Sequence, residues 1–375
     1  MRDPLLGGLA PGTFLRRHWQ KRPLLVRRAL PGFRGVVNAR SLGALAARDD
    51  VESRLVERRR GRWQVTQGPI ARARLRGLPA IDWTLLVSGV NLHVAGADRL
   101  LRRFAFLPFA RLDDVMVSYA APGGGVGPHV DSYDVFLLQG PGRRVWRLAR
   151  PQSFAEVHGA PLKLIEGFAA EEEILTEPGD LLYLPPGWGH DGVALDACFT
   201  YSIGFRAPRG AEIAAAFLDW LHERGLADRG YRDPPLRPAV HPARIPEAML
   251  EHARRSLETI RWSRRDAGDF LGEYLSTPKP HVVFAPPRRA LGRSAFDRRL
   301  ERANVALDAR TQLLYRGTRF FLNGERLLPG ARQRPALTGL ADERRASGRR
   351  LARAGLADLS YEWYRLGYLD LEDLD

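Results

Sequence analysis

The chain has a single cysteine, Cys198, among its 375 residues. One thiol excludes an intrachain disulfide framework and a zinc site built from cysteines, and a reducing cytoplasmic setting suits it best. Long apolar runs are missing too, so no membrane-spanning helix is expected. The first residues, Met1 to Gly12, lack the charged-then-apolar order of a secretory signal. Internal repeats and low-complexity tracts are absent, and 45% hydrophobic against 27% charged residues is a globular balance that argues against wholesale disorder. Negative charge is scarce: 43 Asp+Glu face 58 Lys+Arg, a formal charge of +15. Such an excess attracts polyanions, so direct nucleic-acid binding is one reading. The excess is mostly arginine in short scattered runs such as Arg58, Arg59 and Arg60, and compositional bias accounts for it as readily.

What is present changes along the chain. Residues before about 110 mix helical and extended signals, with an amphipathic stretch from Phe14 to Gln20 and a strand-like Leu24 to Val26, and read as a lead-in layer. From Asp114 to Phe205 the texture becomes short β-rich runs separated by Gly and Pro: Val115 to Ala120, Val135 to Leu138, Arg144 to Leu148, Leu181 to Leu184 and Ala197 to Phe205. Strands punctuated in this way predict an antiparallel barrel or sandwich. After Pro208 the pattern turns helical, with Ile213, Ala216, Phe217, Trp220 and Leu221 on one face. A second helical region is predicted from Pro246 to Leu275, with Leu250, Leu257 and Ile260 apolar. Beyond Pro278 and Pro280 come a helical stretch near Phe296 to Ala306, turns at Gly317-Thr318 and Asn323-Gly324, and a terminal helix with Leu359, Trp363 and Leu366. Helix, hairpin and helix together suggest a winged helix.

The chemistry concentrates in Gly123-Gly-Gly-Val-Gly-Pro128-His129-Val130-Asp131 and in Pro185-Pro-Gly-Trp-Gly-His190. Two histidines and one carboxylate form the facial triad that binds non-haem Fe(II) and leaves coordination positions open, which a closed four-ligand site does not. On a strand, alternate side chains share a face, so His129 and Asp131 point one way and Val130 the other. The glycine run lacks a terminal Gly-Lys-Ser/Thr and opens no helix, which excludes a phosphate loop. A 2-oxo dicarboxylate chelating the metal needs a cation at its far end, and Arg143 or Arg144 on a barrel strand supplies one. Alternation turns only one of them inward and does not say which.

These residues resemble the JmjC-domain 2-oxoglutarate oxygenases and, within them, the bacterial ribosomal-oxygenase branch that hydroxylates an arginine of large-subunit ribosomal protein sixteen. The likeness extends over His18-Trp-Gln-Lys-Arg-Pro23, Ser53-Arg-Leu-Val56, Trp63-Gln-Val65, Pro122 to His129, Tyr133-Asp-Val-Phe136, Gln139-Gly140 and Tyr201 to Pro208. It implies an α+β protein in which a double-stranded β-helix, the cupin or JmjC jelly roll, precedes a helical dimerisation region and a C-terminal winged helix. Boundaries are expected at 1–208, with the barrel core at about 113–206, then 209–277 and 278–375. The resemblance further implies Fe(II) ligation by His129, Asp131 and His190. Gly142-x-Arg144-x-Trp146 matches the family's Gly-x-Lys-x-Trp with arginine for lysine, which assigns Arg144, with Ser118, to 2-oxoglutarate. A substrate arginine is expected beside Asp114, Met116, Tyr133 and Ser202. Asp114, Met116 and Ser118 share one strand face, offering a carboxylate for a guanidinium and a soft surface for its stem. The expected partners are a ribosomal protein and a second copy of the chain, with no membrane. Lysyl demethylation, another side-chain hydroxylation, or a non-catalytic ribosome- or nucleic-acid-binding protein are the alternatives.

Overall fold

Runs rich in Val, Leu, Phe and Tyr, cut short by Gly and Pro, fold into β1 (Leu24–Val26), β2 (Ser53–Arg59), β3 (Arg62–Gln67), β4 (Trp83–Val87), β5 (Leu112–Ala120), β6 (His129–Val130), β7 (Val135–Gln139), β8 (Arg144–Ala149), β9 (Glu172–Thr176), β10 (Leu181–Leu184), β11 (Gly189–Ala194) and β12 (Cys198–Phe205). The structure, a computed structural model, describes residues 4–225, 230–235, 237–238 and 240–373. It divides into a first unit of Met1–Ala207, Lys279–Ala285 and Asp308–Arg310 and a second of Pro208–Pro278, Pro286–Leu307 and Thr311–Asp375. The first of these breaks comes after Ala207. The second, expected at 277/278, does not separate two bodies, and Lys279–Ala285 belongs to the first unit.

In the first unit an eight-stranded sheet of order β1-β10-β7-β12-β5-β4-β2-β3 faces a four-stranded sheet of order β6-β11-β8-β9, all paired antiparallel. This is the expected double-stranded β-helix. Strands β1 to β4 extend its larger sheet, so the lead-in layer joins the barrel as part of that sheet. Alternation divides the work of each central strand. Val115 and Val117 of β5 and Phe136 and Leu138 of β7 join a core with Leu5, Leu6, Phe14 and Leu42 from the N-terminal segments. Val135 and Leu137, one residue out of step, pack with Trp146, Leu148, Ile174, Leu182 and Leu184 between the sheets. Strands β7 and β10 are therefore buried along their whole length, and each large side chain so enclosed contributes roughly 1.5–3 kcal/mol.

Helix α1 (Pro11–Arg17) starts on a proline suited to a first helical position and buries Phe14. It ends before Gln20, whose φ of +56° is not helical, so it is shorter than the amphipathic stretch suggests. Helices α2 (Ala39–Ala46), α3 (Arg72–Arg76) and α4 (Ala95–Arg102) complete the unit.

The second unit begins with α5 (Gly210–Glu223), α6 (Glu247–Glu258) and α7 (Arg264–Ser276). The helical region expected over 246–275 consists of two helices, because Ser263 and Asp266 form a capping box that starts α7 afresh. Trp220 and Leu221 of α5 pack on Phe270 of α7, with Ile213, Ala216 and Phe217 alongside. There follow α8 (Arg293–Leu300), β13 (Ala303–Leu307), β14 (Leu313–Arg316), β15 (Arg319–Leu322), β16 (Glu325–Leu327), α9 (Arg334–Glu343), β17 (Arg345–Ser347), α10 (Gly348–Arg353), α11 (Ala357–Leu366) and β18 (Leu369–Asp373). The helical reading of Phe296 to Ala306 holds only to Leu300; Ala303–Leu307 is a strand paired with β17 and β18. Both turn signals do close hairpins, joining β14, β15 and β16. Helix α7 is tied to that sheet by Asp269, buried between Arg319 and Arg326 at 3.2 and 2.6 Å. Those ion pairs join 209–277 to the winged-helix strands rather than leaving it a separate region. No helix among the described residues is long and apolar enough to cross a membrane.

Candidate active site

Strand β6 is two residues long and pairs antiparallel with β11, placing His129 directly opposite His190. Their ring centroids are 4.1 Å apart. Asp131 Oδ2 lies 3.7 Å from His190 Nε2, and one ligand atom from each of the three residues lies within 4.8 Å of the others. The Nδ1 of His129 is 2.9 Å from the carbonyl of Gly127, and that of His190 is 2.9 Å from the carbonyl of Trp188. Each carbonyl can only accept, so both rings donate from Nδ1, and Nε2 is the ring atom left for a metal. Burial and the neighbouring His129 push the His190 pKa down to about 4, against the pull of Asp131. A neutral imidazole is the form that binds a metal, so the donor set fits a divalent cation.

The approach to this centre explains the glycines. A Cβ on Gly124 would lie 2.2 Å from the carbonyl oxygen of Trp83, and one on Gly125 would lie 2.6 Å from that of Gly192. The run is a loop laid along β11, bonded by Gly123 N to Ala194 O and by Ala194 N to Gly124 O. Beyond the ligands, Asp134 is fully buried. It accepts from the Tyr183 hydroxyl at 2.6 Å, Gln20 Nε2 at 3.1 Å and Arg111 at 3.3 Å, while Trp19 stacks on Tyr183. The Trp19-Gln20 motif thus clamps the segment after Asp131.

A cavity of about 290 Å³ opens on the triad. Asp114, Met116, Ser118, Tyr133, Arg144 and Ser202 all line it, so every residue singled out in the sequence comes to one place. Tyr133 does so without the expected strand continuation, since β6 ends at Val130; it stands 38% exposed at the rim. Desolvation there, with the carboxylates of Asp131 and Asp114, raises its phenol. Burial likewise pushes the Asp114 carboxyl up, against the pull of Lys279 and a hydrogen bond of 2.7 Å from Gly89 N.

The two adjacent arginines separate cleanly. Arg143 is half exposed and pairs with Asp196 at 2.8 Å. Arg144 is 4% exposed, donates to Gly192 O at 3.1 Å and has Nη2 3.8 Å from Cys198 Sγ, and no carboxylate among the described residues pairs with it. Its Nε and the Thr200 hydroxyl are buried without hydrogen-bond partners, and both residues line the cavity. Orphaned buried polar atoms are rare and need an explanation; a carboxylate entering between them would satisfy both. Sequence reasoning missed Thr200, although it shares strand parity with Ser202. It also missed Lys279, for which no local signal existed.

A facial triad in a double-stranded β-helix, beside a buried arginine lacking a counter-charge, defines a 2-oxo-acid-dependent oxygenase site. Residues 99–213 match the JmjC domain and residues 259–370 the ROXA-like winged helix. The ribosomal protein uL16 3-hydroxylase of Escherichia coli is 37% identical over 331 residues, covering 88% of this chain and 87% of that one. A solved structure of Escherichia coli YcfD superposes with a TM-score of 0.84 at 33% identity, over 97% of this chain and 98% of that one. Another, of the ribosomal oxygenase YcfD in complex with cobalt and 2-oxoglutarate, has a TM-score of 0.80 at 34% identity over the same shares. The chain belongs to the JmjC-domain ribosomal oxygenases.

Proposed function

We propose that this protein is an Fe(II)- and 2-oxoglutarate-dependent dioxygenase that hydroxylates an arginine side chain of a large-subunit ribosomal protein in the cytoplasm. The observation that carries this reading is the pairing of the metal-competent triad with a buried, unpaired guanidinium in one cavity. His129, Asp131 and His190 would hold the iron, and Arg144 with Ser118 and Thr200 would receive the distal carboxylate of 2-oxoglutarate. Iron and 2-oxoglutarate together supply the oxidative activation of dioxygen. Everything else falls to the chain. Arg144 orients the co-substrate, and the core at Trp146 and Leu137 excludes water behind it. Asp114 accepts the substrate guanidinium, Met116 and Tyr133 flank its stem, and Ser202 donates or accepts beside it. Since such an oxidant is unselective, the carbon held nearest is the one attacked, and positioning decides the product.

The relative named uL16 3-hydroxylase, aligned over most of both chains, supports the ribosomal substrate. A second copy of the chain fits the second unit, where α6 has no buried residue and leaves Met249, Leu250 and Leu257 exposed. The test is intact-mass comparison of ribosomal proteins from cells with and without the gene. One added oxygen atom on a large-subunit protein, lost with His129→Ala, is the expected result; unchanged masses throughout refute the reading.

A further inference from the structure

The Pro278-Lys279-Pro280 tripeptide stands at the start of the expected 278–375 region, yet Lys279–Ala285 packs with the oxygenase unit and Lys279 lines its cavity. Proline on both sides restricts the backbone there. Lys279 Nζ lies 3.0 Å from Asp113 Oδ1, while Arg206 Nε stands at 3.5 Å from the same oxygen. Asp113 precedes Asp114 on β5, and both residues line the cavity. Among the described residues Asp114 has no ion-pair partner; its Oδ2 accepts from Gly89 N.

Two adjacent acids in one cavity pose a problem for a substrate guanidinium. An unpaired Asp113 would repel charge from its neighbour and offer a second, misplaced acceptor. We propose that Lys279 is a positioning residue for the substrate's cationic side chain: by pairing with Asp113 it leaves Asp114 as the carboxylate of that pair open to the incoming guanidinium. The residue type suits the task. Lys21, Lys163 and Lys279 are the only lysines among 58 basic residues, and an ammonium is a point charge without the planar fork by which an arginine would clamp Asp114 itself. Burial opposes the charged ammonium, but Asp114 and Asp113 outweigh it and hold the Lys279 pKa above its ordinary value.

This inference rests on the reading of Asp114 as the guanidinium acceptor, and a double-mutant cycle tests the two separately. Full-length protein loaded with Fe(II) and 2-oxoglutarate is assayed on a synthetic peptide carrying the hydroxylated residue located by mass. Lys279→Met leaves Asp113 with the longer Arg206 contact of 3.5 Å as its ion pair, and Asp113→Asn frees Lys279 to close on Asp114, so each raises the peptide KM by about fivefold with kcat little changed. The double variant, with neither charge, returns the KM to within about twofold of wild type. A lower KM for Lys279→Met makes the lysine a competitor and overturns the proposal. Additive losses in the double variant, or losses confined to kcat and thermal stability, make it a structural residue and overturn it equally. If Asp114→Asn leaves the peptide KM of wild type unaltered, the acceptor reading itself fails and this inference falls with it.

Discussion

Replacing Arg144 by methionine isolates the co-substrate anchor, because methionine keeps the apolar stem and removes only the guanidinium. In the free protein Arg144 is 4% exposed, has no carboxylate within ion-pair distance among the described residues, makes a single hydrogen bond to oxygen at 3.1 Å and leaves its Nε unsatisfied. A buried charge in that condition is a cost to the fold, so the free variant is expected to unfold at the same temperature as wild type or higher. In the bound state the sign reverses. Removing one partner of a buried, hydrogen-bonded charge pair costs about 2–5 kcal/mol, which weakens 2-oxoglutarate by roughly thirtyfold to several thousandfold. The assay is thermal unfolding of protein loaded with a redox-inert divalent metal, with and without 2-oxoglutarate. At a co-substrate concentration about a hundredfold above its Kd, wild type gains about 2.7 kcal/mol, while the variant at that concentration gains about 0.9 kcal/mol or less. Arg144→Lys keeps a point charge and recovers part of the affinity. Co-substrate affinity within about threefold of wild type in Arg144→Met, below the loss a broken buried charge pair must give, refutes the reasoning and moves the anchor elsewhere.

Three further outcomes are expected. His190→Ala or Asp131→Ala removes one of three donors and abolishes stoichiometric metal, read by elemental analysis of purified protein, while far-ultraviolet circular dichroism stays unchanged. In metal-free protein, His190 has a folded pKa of about 4, below its ordinary 6.5. The unfolded chain therefore binds more protons between those values, and stability is full above about 6.5 and is lost as the pH falls toward 4. A scan of Tm against pH reports it, and His190→Ala flattens that limb. Gly192→Ala places a Cβ 2.5 Å from the Trp146 ring, next to the carbonyl that holds Arg144; overpacking of this kind costs about 1–3 kcal/mol, seen as a lower Tm together with a raised KM for 2-oxoglutarate.

The limits of the sequence reading have physical causes. Period-two alternation is a local property, and it separates Asp114, Met116 and Ser118 from Val115 and Val117 without any knowledge of which strands pair. It could not choose between Arg143 and Arg144, because the choice depends on Asp196 and Gly192, which belong to segments some fifty residues away. The break inside the helical region over 246–275 was not named, since it is set by the side-chain cap at Ser263. Strand β13 was read as helix because its partners β17 and β18 lie far along the chain.

The sequence by itself determined the donor types of the metal centre, the β-rich core from Asp114 to Phe205, and the inward set on β5, since residue chemistry and strand period are written locally. Only the tertiary structure decided which arginine is buried without a counter-charge, that Thr200 shares its orphaned state, and that Lys279 returns from a proline-flanked segment to meet Asp113. Those outcomes depend on which strands pair and which loops cover them, and no single stretch of chain holds that information.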